Sequence, residues 1–349
     1  MARELDRRGH EVTLGCRRGT DAKVIDQVRR EGISRIETFA FASGARPLPD
    51  LGDVRRLVTR LRRTDVVHVH RGKEHWLAAI ANRLTATPRP IVRTRHIAQA
   101  VRPHAANRWL YRHATAAVVT VTEAIRRQYL AAGLAPAERI VALPGGADTE
   151  RYRPRQRDPE TFRRLGGGDA PLVGMIAGLR VMKGHRVVVE AATRLARMGH
   201  RPRFVFIGHG PLTEPVRDAI RAAGLEGRVS VVGWIDDLPA AMAALDVGLY
   251  TPLESDGMSR VVFEYLAAGR PLIASRVGVV PEALVDGEHA VLVPAGDAEA
   301  LADALGHVLG DPALRARLGR SGRSLVEERY SGERLVTALE ALYGRALDA

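Results

Sequence analysis

SDGMSRVVFEYLAAGRPLIAS, residues 255–275, sets two carboxylates, Asp256 and Glu264, on either side of a predicted helix start. Gly257 lets the backbone come close to a ligand, and the N–H groups around Met258 and Ser259 then face outward from a helix N-terminus, where an anion is favoured. Glu264 follows Asp256 by eight residues, about 12 Å of helical rise. Gly269, Arg270 and Pro271 stop the helix before an apolar strand, PLIAS. The stretch is therefore a helix-to-strand junction of an α/β sheet. A sugar nucleotide offers phosphates to such a helix end and hydroxyls to carboxylates that only accept hydrogen bonds. The alternative is an amphipathic helix with Glu264 on its solvated face.

Upstream, VGMIAGLRVMKGHRVVVEAATRL (residues 173–195) reads as a buried strand, a turn at Gly178, two cations at Arg180 and Lys183, and a helix. Together the cations would neutralise a leaving diphosphate; otherwise they are two surface charges on a basic protein. Only Lys23, Lys73 and Lys183 are lysines among 53 basic residues, so Lys183 runs against a strong arginine preference. A compact ammonium is wanted there. RFVFIGHGP (203–211), RVSVVGWID (228–236) and DVGLYTP (246–252) continue the alternation of strand, glycine turn and helix. The Gly-x-Gly at 208–210 marks a tight strand-to-helix turn rather than a dinucleotide fingerprint.

These motifs resemble those of the retaining glycosyltransferases of family 4, in which Glu, seven residues and Glu precede Ala-x-x-x-Gly-x-Pro. Asp256 stands where that family carries Glu, and it is one methylene shorter. Glu264 matches the residue that the family uses on the nucleotide ribose. Gly178, Arg180, Lys183 and Gly184 match its donor-phosphate pattern Gly-x-Arg-x-x-Lys-Gly. By the same resemblance Gly233 and Trp234 lie against the nucleotide base, with a core-packed Trp234 as the alternative. LPGGADTERYRP (143–154) resembles the family's interdomain motif, with Gly145 replacing Asn and Asp148 kept in a structural role. The resemblance implies the GT-B architecture: two Rossmann-like, doubly wound α/β domains facing a cleft. The implied boundaries are an acceptor-side domain at 1–155, a Pro- and Gly-rich linker at 156–170, a nucleotide-sugar domain at 171–330, and a closing helix at 331–349 that packs back on the first domain.

In the first half, strands are expected at 11–15, 65–70, 90–94 and 116–121, with a helix at 74–84. His70 and His96 each end a predicted strand, where open α/β sheets place ligands. Either could donate to an acceptor or sugar oxygen, or be one of twelve incidental histidines. The resemblance favours His96. Family members open with a strand and a glycine loop before a phrase like the MARELDRRGHEVTL found here at residues 1–14. On that reading the central first strand is missing, through a late start or a truncated gene, and weak activity would follow.

At 349 residues, with 46% hydrophobic and 27% charged residues, the composition is that of a globular protein of two domains. There is no run of about 20 apolar residues, the opening is charged rather than apolar, and the single Cys16 excludes an internal disulfide. A cytoplasmic location is expected, with attachment to the inner face of the cytoplasmic membrane. The charge is lopsided: residues 1–155 hold 30 basic and 15 acidic residues, the remainder 23 and 25. The densest run, DVRRLVTRLRRTD (53–65), is a basic amphipathic helix carrying Arg55, Arg56, Arg60, Arg62 and Arg63. It could meet anionic lipid or an anionic glycolipid, or simply be solvated. With 5% aromatic residues and no recognition motif, nucleic acid is not expected as a partner.

The expected reaction is transfer of a sugar from a nucleoside-diphosphate sugar to a glycan or glycolipid hydroxyl in envelope polysaccharide or lipopolysaccharide synthesis. As the resemblance implies, it proceeds with retention. Arg180, Lys183 and the helix amides near Gly257 would stabilise the departing diphosphate, with His96 and Asp256 at the sugar. No Asp-x-Asp is present, and neither a metal nor a cofactor is expected. The alternatives are a sugar-nucleotide epimerase on the same architecture, or a non-catalytic protein that binds a nucleotide sugar.

Overall fold

The computed structural model describes residues 1–348 except Asp256 and Met258. The chain divides into two units: residues 1–144 together with the closing helix Gly332–Leu347, and residues 145–331.

The first unit holds six parallel strands. β1 (Leu14–Arg17) pairs with β2 (Ile36–Phe39), and β3 (Val67–Val69), β4 (Ile91–Arg95), β5 (Ala117–Thr120) and β6 (Ile140–Ala142) form a separate sheet in that order. Val92 and Val118 are fully buried, as expected for strands covered on both faces. The closing helix lays Leu339 and Leu342 against Val92, Ala117 and Val119. The opening helix Ala2–Arg7 meets it too: Arg8 Nη1 lies 2.5 Å from Glu340 Oε2.

The basic helix spans Pro47–Leu61, an earlier start than the arginine run suggests, because Pro47 occupies its first turn, where a missing N–H costs nothing. Its buried Asp53 accepts from the amides of Ala40 and Phe41, each at 2.8 Å, and so holds the loop where Phe41 adopts a left-handed φ of 37°.

The second unit is a six-stranded parallel sheet in the order β12-β11-β10-β7-β8-β9, comprising β7 (Leu172–Ile176), β8 (Arg203–Ile207), β9 (Val229–Val232), β10 (Val247–Tyr250), β11 (Leu272–Ser275) and β12 (Val291–Val293). Helices cover both faces. His185–Arg197 and Ala298–Gly310 bury Val188, Leu195 and Leu305 on one face; Arg260–Ala267 buries Val262 and Leu266 on the other. Glycine permits the closest approach there, since a Cβ on Gly319 would lie 2.5 Å from the Gly269 carbonyl.

The stretch 156–170, read from sequence as a linker, contains the helix Pro159–Arg164, capped by Asp158 Oδ2 accepting from Thr161 N at 2.8 Å. Leu165 behind it is fully buried in the core of the second unit. Gly146 marks the beginning of this unit: a Cβ there would lie 2.4 Å from the Tyr330 carbonyl, and Ala147 bridges Ser331 alongside. Asp148 turns the chain onward by accepting from the amides of Glu150 and Arg151.

Candidate active site

In the second unit successive strands run outward from β7 through β8 to β9, and the chain then returns to lay β10 on the other side of β7. Open parallel sheets bind ligands outside the carboxyl ends of the two strands at such a switch. A pocket of about 110 Å³ lies there, lined among others by Ile176, Ala177, Lys183, Thr251 and Ser259.

Three glycines set the close packing of the loops beside it. Gly184 has φ +76°, and a Cβ on it would stand 2.1 Å from the Thr251 carbonyl, so the Lys183–Gly184 backbone presses on the exit of β10. A Cβ on Gly208 would stand 2.2 Å from the Ala177 carbonyl, and one on Gly210 2.4 Å from the Leu179 carbonyl. Gly178 meets nothing closer than 3.6 Å. The close packing of the two loops thus rests on Gly208 and Gly210, which sequence reasoning assigned only to a turn, rather than on Gly178. Arg180 is exposed, whereas Lys183 is half-buried at the pocket. Beside it His185 is buried, and burial first, then the Lys183 charge, lowers its pKa to about 4.

The helix Arg260–Ala267 begins at Ser259, which is buried and lines the pocket. Among the described residues its N-terminus has neither a side-chain cap nor an acidic residue in the first turn, leaving amide donors for an anion. Gly257 has φ +70°, and its own N–H donates to Ser255 Oγ at 3.3 Å, so this amide is already engaged. Asp256 and Met258 lie outside the described residues. Glu264 sits half-buried in the second turn. Its neighbour Tyr265, which sequence reading passed over, is fully buried: its hydroxyl donates to the Gly174 carbonyl at 3.1 Å and accepts from Ile176 N at 2.9 Å. The helix is thereby pinned to β7.

Gly233 and Trp234 follow β9. Trp234 is 47% exposed, with Nε1 donating to Asp236 Oδ1 at 3.2 Å and its ring 6.4 Å from that of His209, so it is not a core tryptophan.

In the first unit His70 and His96 follow β3 and β4, and His70 Nδ1 lies 2.9 Å from His96 Nε2. His68 stacks on His70 and reaches Thr94 Oγ1 at 2.6 Å and Tyr343 Oη at 2.5 Å. Burial, then the charges of His96 and Arg93, lowers His70 to about 4, so it is neutral near pH 7. Of the five arginines of the basic helix region, Arg56 donates to the Thr38 carbonyl and Arg60 pairs with Glu37, while Arg55, Arg62 and Arg63 point to solvent. Among the described residues no helix is long and apolar enough to cross a membrane.

A parallel sheet whose strand order switches beside β7, with helices on both faces, defines a doubly wound α/β unit. Residues 1–151 match the model of Glycosyltransferase Family 4, and residues 170–311 that of Glycosyl transferases group 1. The chain is 30% identical over 310 residues to the 2-deoxystreptamine N-acetyl-D-glucosaminyltransferase of Streptomyces fradiae, covering 79% of this chain and 72% of that one. It is 31% identical over 235 residues to the alpha-D-kanosaminyltransferase of Streptomyces kanamyceticus, covering 64% and 60% respectively. With the GDP-mannose-dependent alpha-(1-6)-phosphatidylinositol monomannoside mannosyltransferase of Mycolicibacterium smegmatis it shares 30% identity, covering 59% of this chain. The match spans only 56% of that relative's length. HepE of Anabaena, solved with UDP and glucose, superposes with a TM-score of 0.83 at 19% identity, over 97% of this chain and 93% of that one. The chain belongs to glycosyltransferase family 4 and has the GT-B fold.

Proposed function

We propose that the chain transfers a hexose-type sugar from a nucleoside-diphosphate sugar to a hydroxyl of a glycan or glycolipid, with retention at the anomeric carbon. The observation that carries this reading is the meeting of an uncapped helix N-terminus at Ser259 with Lys183 in the pocket between the ends of β7 and β10. Helix amides and an ammonium stabilise the charge that grows on the departing diphosphate, a role that needs no metal. Glu264 accepts from the ribose hydroxyls, Trp234 offers a face to the base, and Arg180 closes on the phosphates from solvent. Asp256 and His96 are assigned to the transferring sugar. The phosphatidylinositol mannoside in the name of one relative supports a lipid-borne acceptor. Envelope glycan or lipopolysaccharide synthesis at the inner face of the cytoplasmic membrane fits that acceptor, with Arg55, Arg62 and Arg63 toward anionic headgroups.

The test is nucleoside diphosphate release across a panel of UDP-, GDP- and ADP-sugars, with and without lipid-linked acceptors. Acceptor-dependent release is expected. Consumption of donor without acceptor would point to an epimerase or hydrolase, and saturable binding without consumption to a non-catalytic protein.

A further inference from the structure

The helix Gly72–Arg83 of the first unit buries His75, Leu77, Ala78, Ala79 and Ala81. Its opposite face is not polar. Trp76, Ile80 and Leu84 recur at every fourth residue and make one stripe; Ile80 is 44% and Leu84 63% exposed. Trp109, from the helix Ala105–His113, stacks on Trp76 with ring centroids 6.1 Å apart and planes 18° apart, which widens the stripe with a second half-buried indole. Arg83 lies over Trp109 at 5.8 Å, and Arg108 and Arg112 are exposed along the same short helix.

The charge in this part of the sequence is nearly all of one sign. Residues 66–122 contain nine arginines and lysines and a single carboxylate, Glu74. Glu74 is turned to the helix start, accepting from Arg71 N at 3.2 Å. Two aliphatic side chains, a pair of amphipathic indoles and a cationic rim are what an anionic bilayer surface takes: the aliphatics enter the acyl boundary, the indoles sit at the headgroups, and the arginines meet phosphates. A glycan would stack on the indoles but gain nothing from Ile80 and Leu84.

We propose that the face formed by Trp76, Ile80, Leu84 and Trp109 docks this protein on an anionic phospholipid bilayer, as an apolar anchor separate from the arginines of the Pro47–Leu61 helix. The proposal goes beyond the transferase reading and does not depend on the pocket of the second unit.

The experiment is vesicle sedimentation with and without phosphatidylglycerol, on a Trp234→Phe background in which Trp76 and Trp109 are the only tryptophans. Expected are binding only to the anionic vesicles, a blue shift of tryptophan emission on binding, and quenching by brominated lipid. The double variant Ile80→Glu with Leu84→Glu should weaken binding at least about tenfold at an unchanged thermal midpoint. The proposal is overturned if the vesicles are not bound, if neutral vesicles bind equally, if emission stays fixed while protein sediments, or if the folded double variant binds like its parent. Emission that shifts with a DNA duplex and not with vesicles would overturn it as well. Nucleoside diphosphate binding, followed by calorimetry on protein that keeps Trp234, reports on the transferase reading alone, so failure of either idea is seen separately.

Discussion

Gly248 of β10 leaves room for the ring of Tyr265: a Cβ at Gly248 would stand 2.6 Å from Cδ1 of that ring. Through this gap the hydroxyl reaches both Gly174 O and Ile176 N of β7. Gly248→Ala should destabilise the protein by about 1–3 kcal/mol through overpacking. Tyr265→Phe should cost about 1–3 kcal/mol by leaving two buried backbone groups a partner short. Urea denaturation checks both, and two neutral results would mean that the helix is not held to β7 by this side chain.

On the proposed reading, Lys183→Ala should lower turnover by about 10²-fold and weaken nucleoside diphosphate binding, because Lys183 lines the pocket assigned to the diphosphate. Arg180→Ala should do less, since Arg180 is solvent-exposed. Steady-state rates on the best donor decide the ranking. Equal turnover of wild type and Lys183→Ala would remove the lysine from the mechanism.

Gly184→Ala forces a side chain into a left-handed conformation and against the Thr251 carbonyl. A loss of at least about 1 kcal/mol in stability is expected from the backbone alone, together with weaker nucleotide binding as the Lys183 loop lifts from β10. Retained affinity with retained stability would show that the loop adapts at no cost.

Two buried histidines set an acid limit. Burial, then the Arg93 charge, lowers His75 to about 3, and His185 is lowered to about 4. Their folded values lie below the unfolded value near 6.5, so the unfolded chain binds the extra protons. Stability is therefore full above about pH 6.5 and falls as the pH drops from there through the folded values. At pH 7 each group contributes on the order of 3 kcal/mol that acid removes. Denaturant midpoints measured between pH 7.5 and 3.5 should show the decline, and a flat profile would contradict it. Both ring nitrogens of His185 lack a hydrogen-bond partner among the described residues, so His185→Leu should flatten part of the slope without loss at neutral pH.

The apolar runs 173–176, 203–207 and 247–250 announce buried parallel strands, and glycine-rich turns place the loops at their ends, so the second unit is read almost directly from its sequence. β2, β6 and β12 escape because each spans only three or four residues. The helix Pro159–Arg164 escapes for the opposite reason: Pro159 and Gly166 to Gly168 look like a linker, although proline is at home in a first turn and Gly167 is packed against Phe162. Spacing gives no hint of Tyr265, whose role depends on Gly174 and Gly248 from two other strands. The His70–His96 contact is equally hidden, since each residue merely ends its own strand, and only the β3–β4 pairing brings them together.

The strand crossing that creates the switch point also sets a time at which the pocket can first exist. β7 acquires its neighbour β10 only across a long excursion: Leu172 N donates to a carboxylate, that of Asp246, 74 positions further along the chain. During synthesis Lys183 leaves the ribosome well before Thr251 and Ser259, and no contiguous piece shorter than the span of β7 to the Arg260–Ala267 helix can form the pocket. Contacts of such long range form late because loop closure opposes them. A nascent chain should therefore gain nucleotide affinity in one step, as that helix emerges, rather than by degrees.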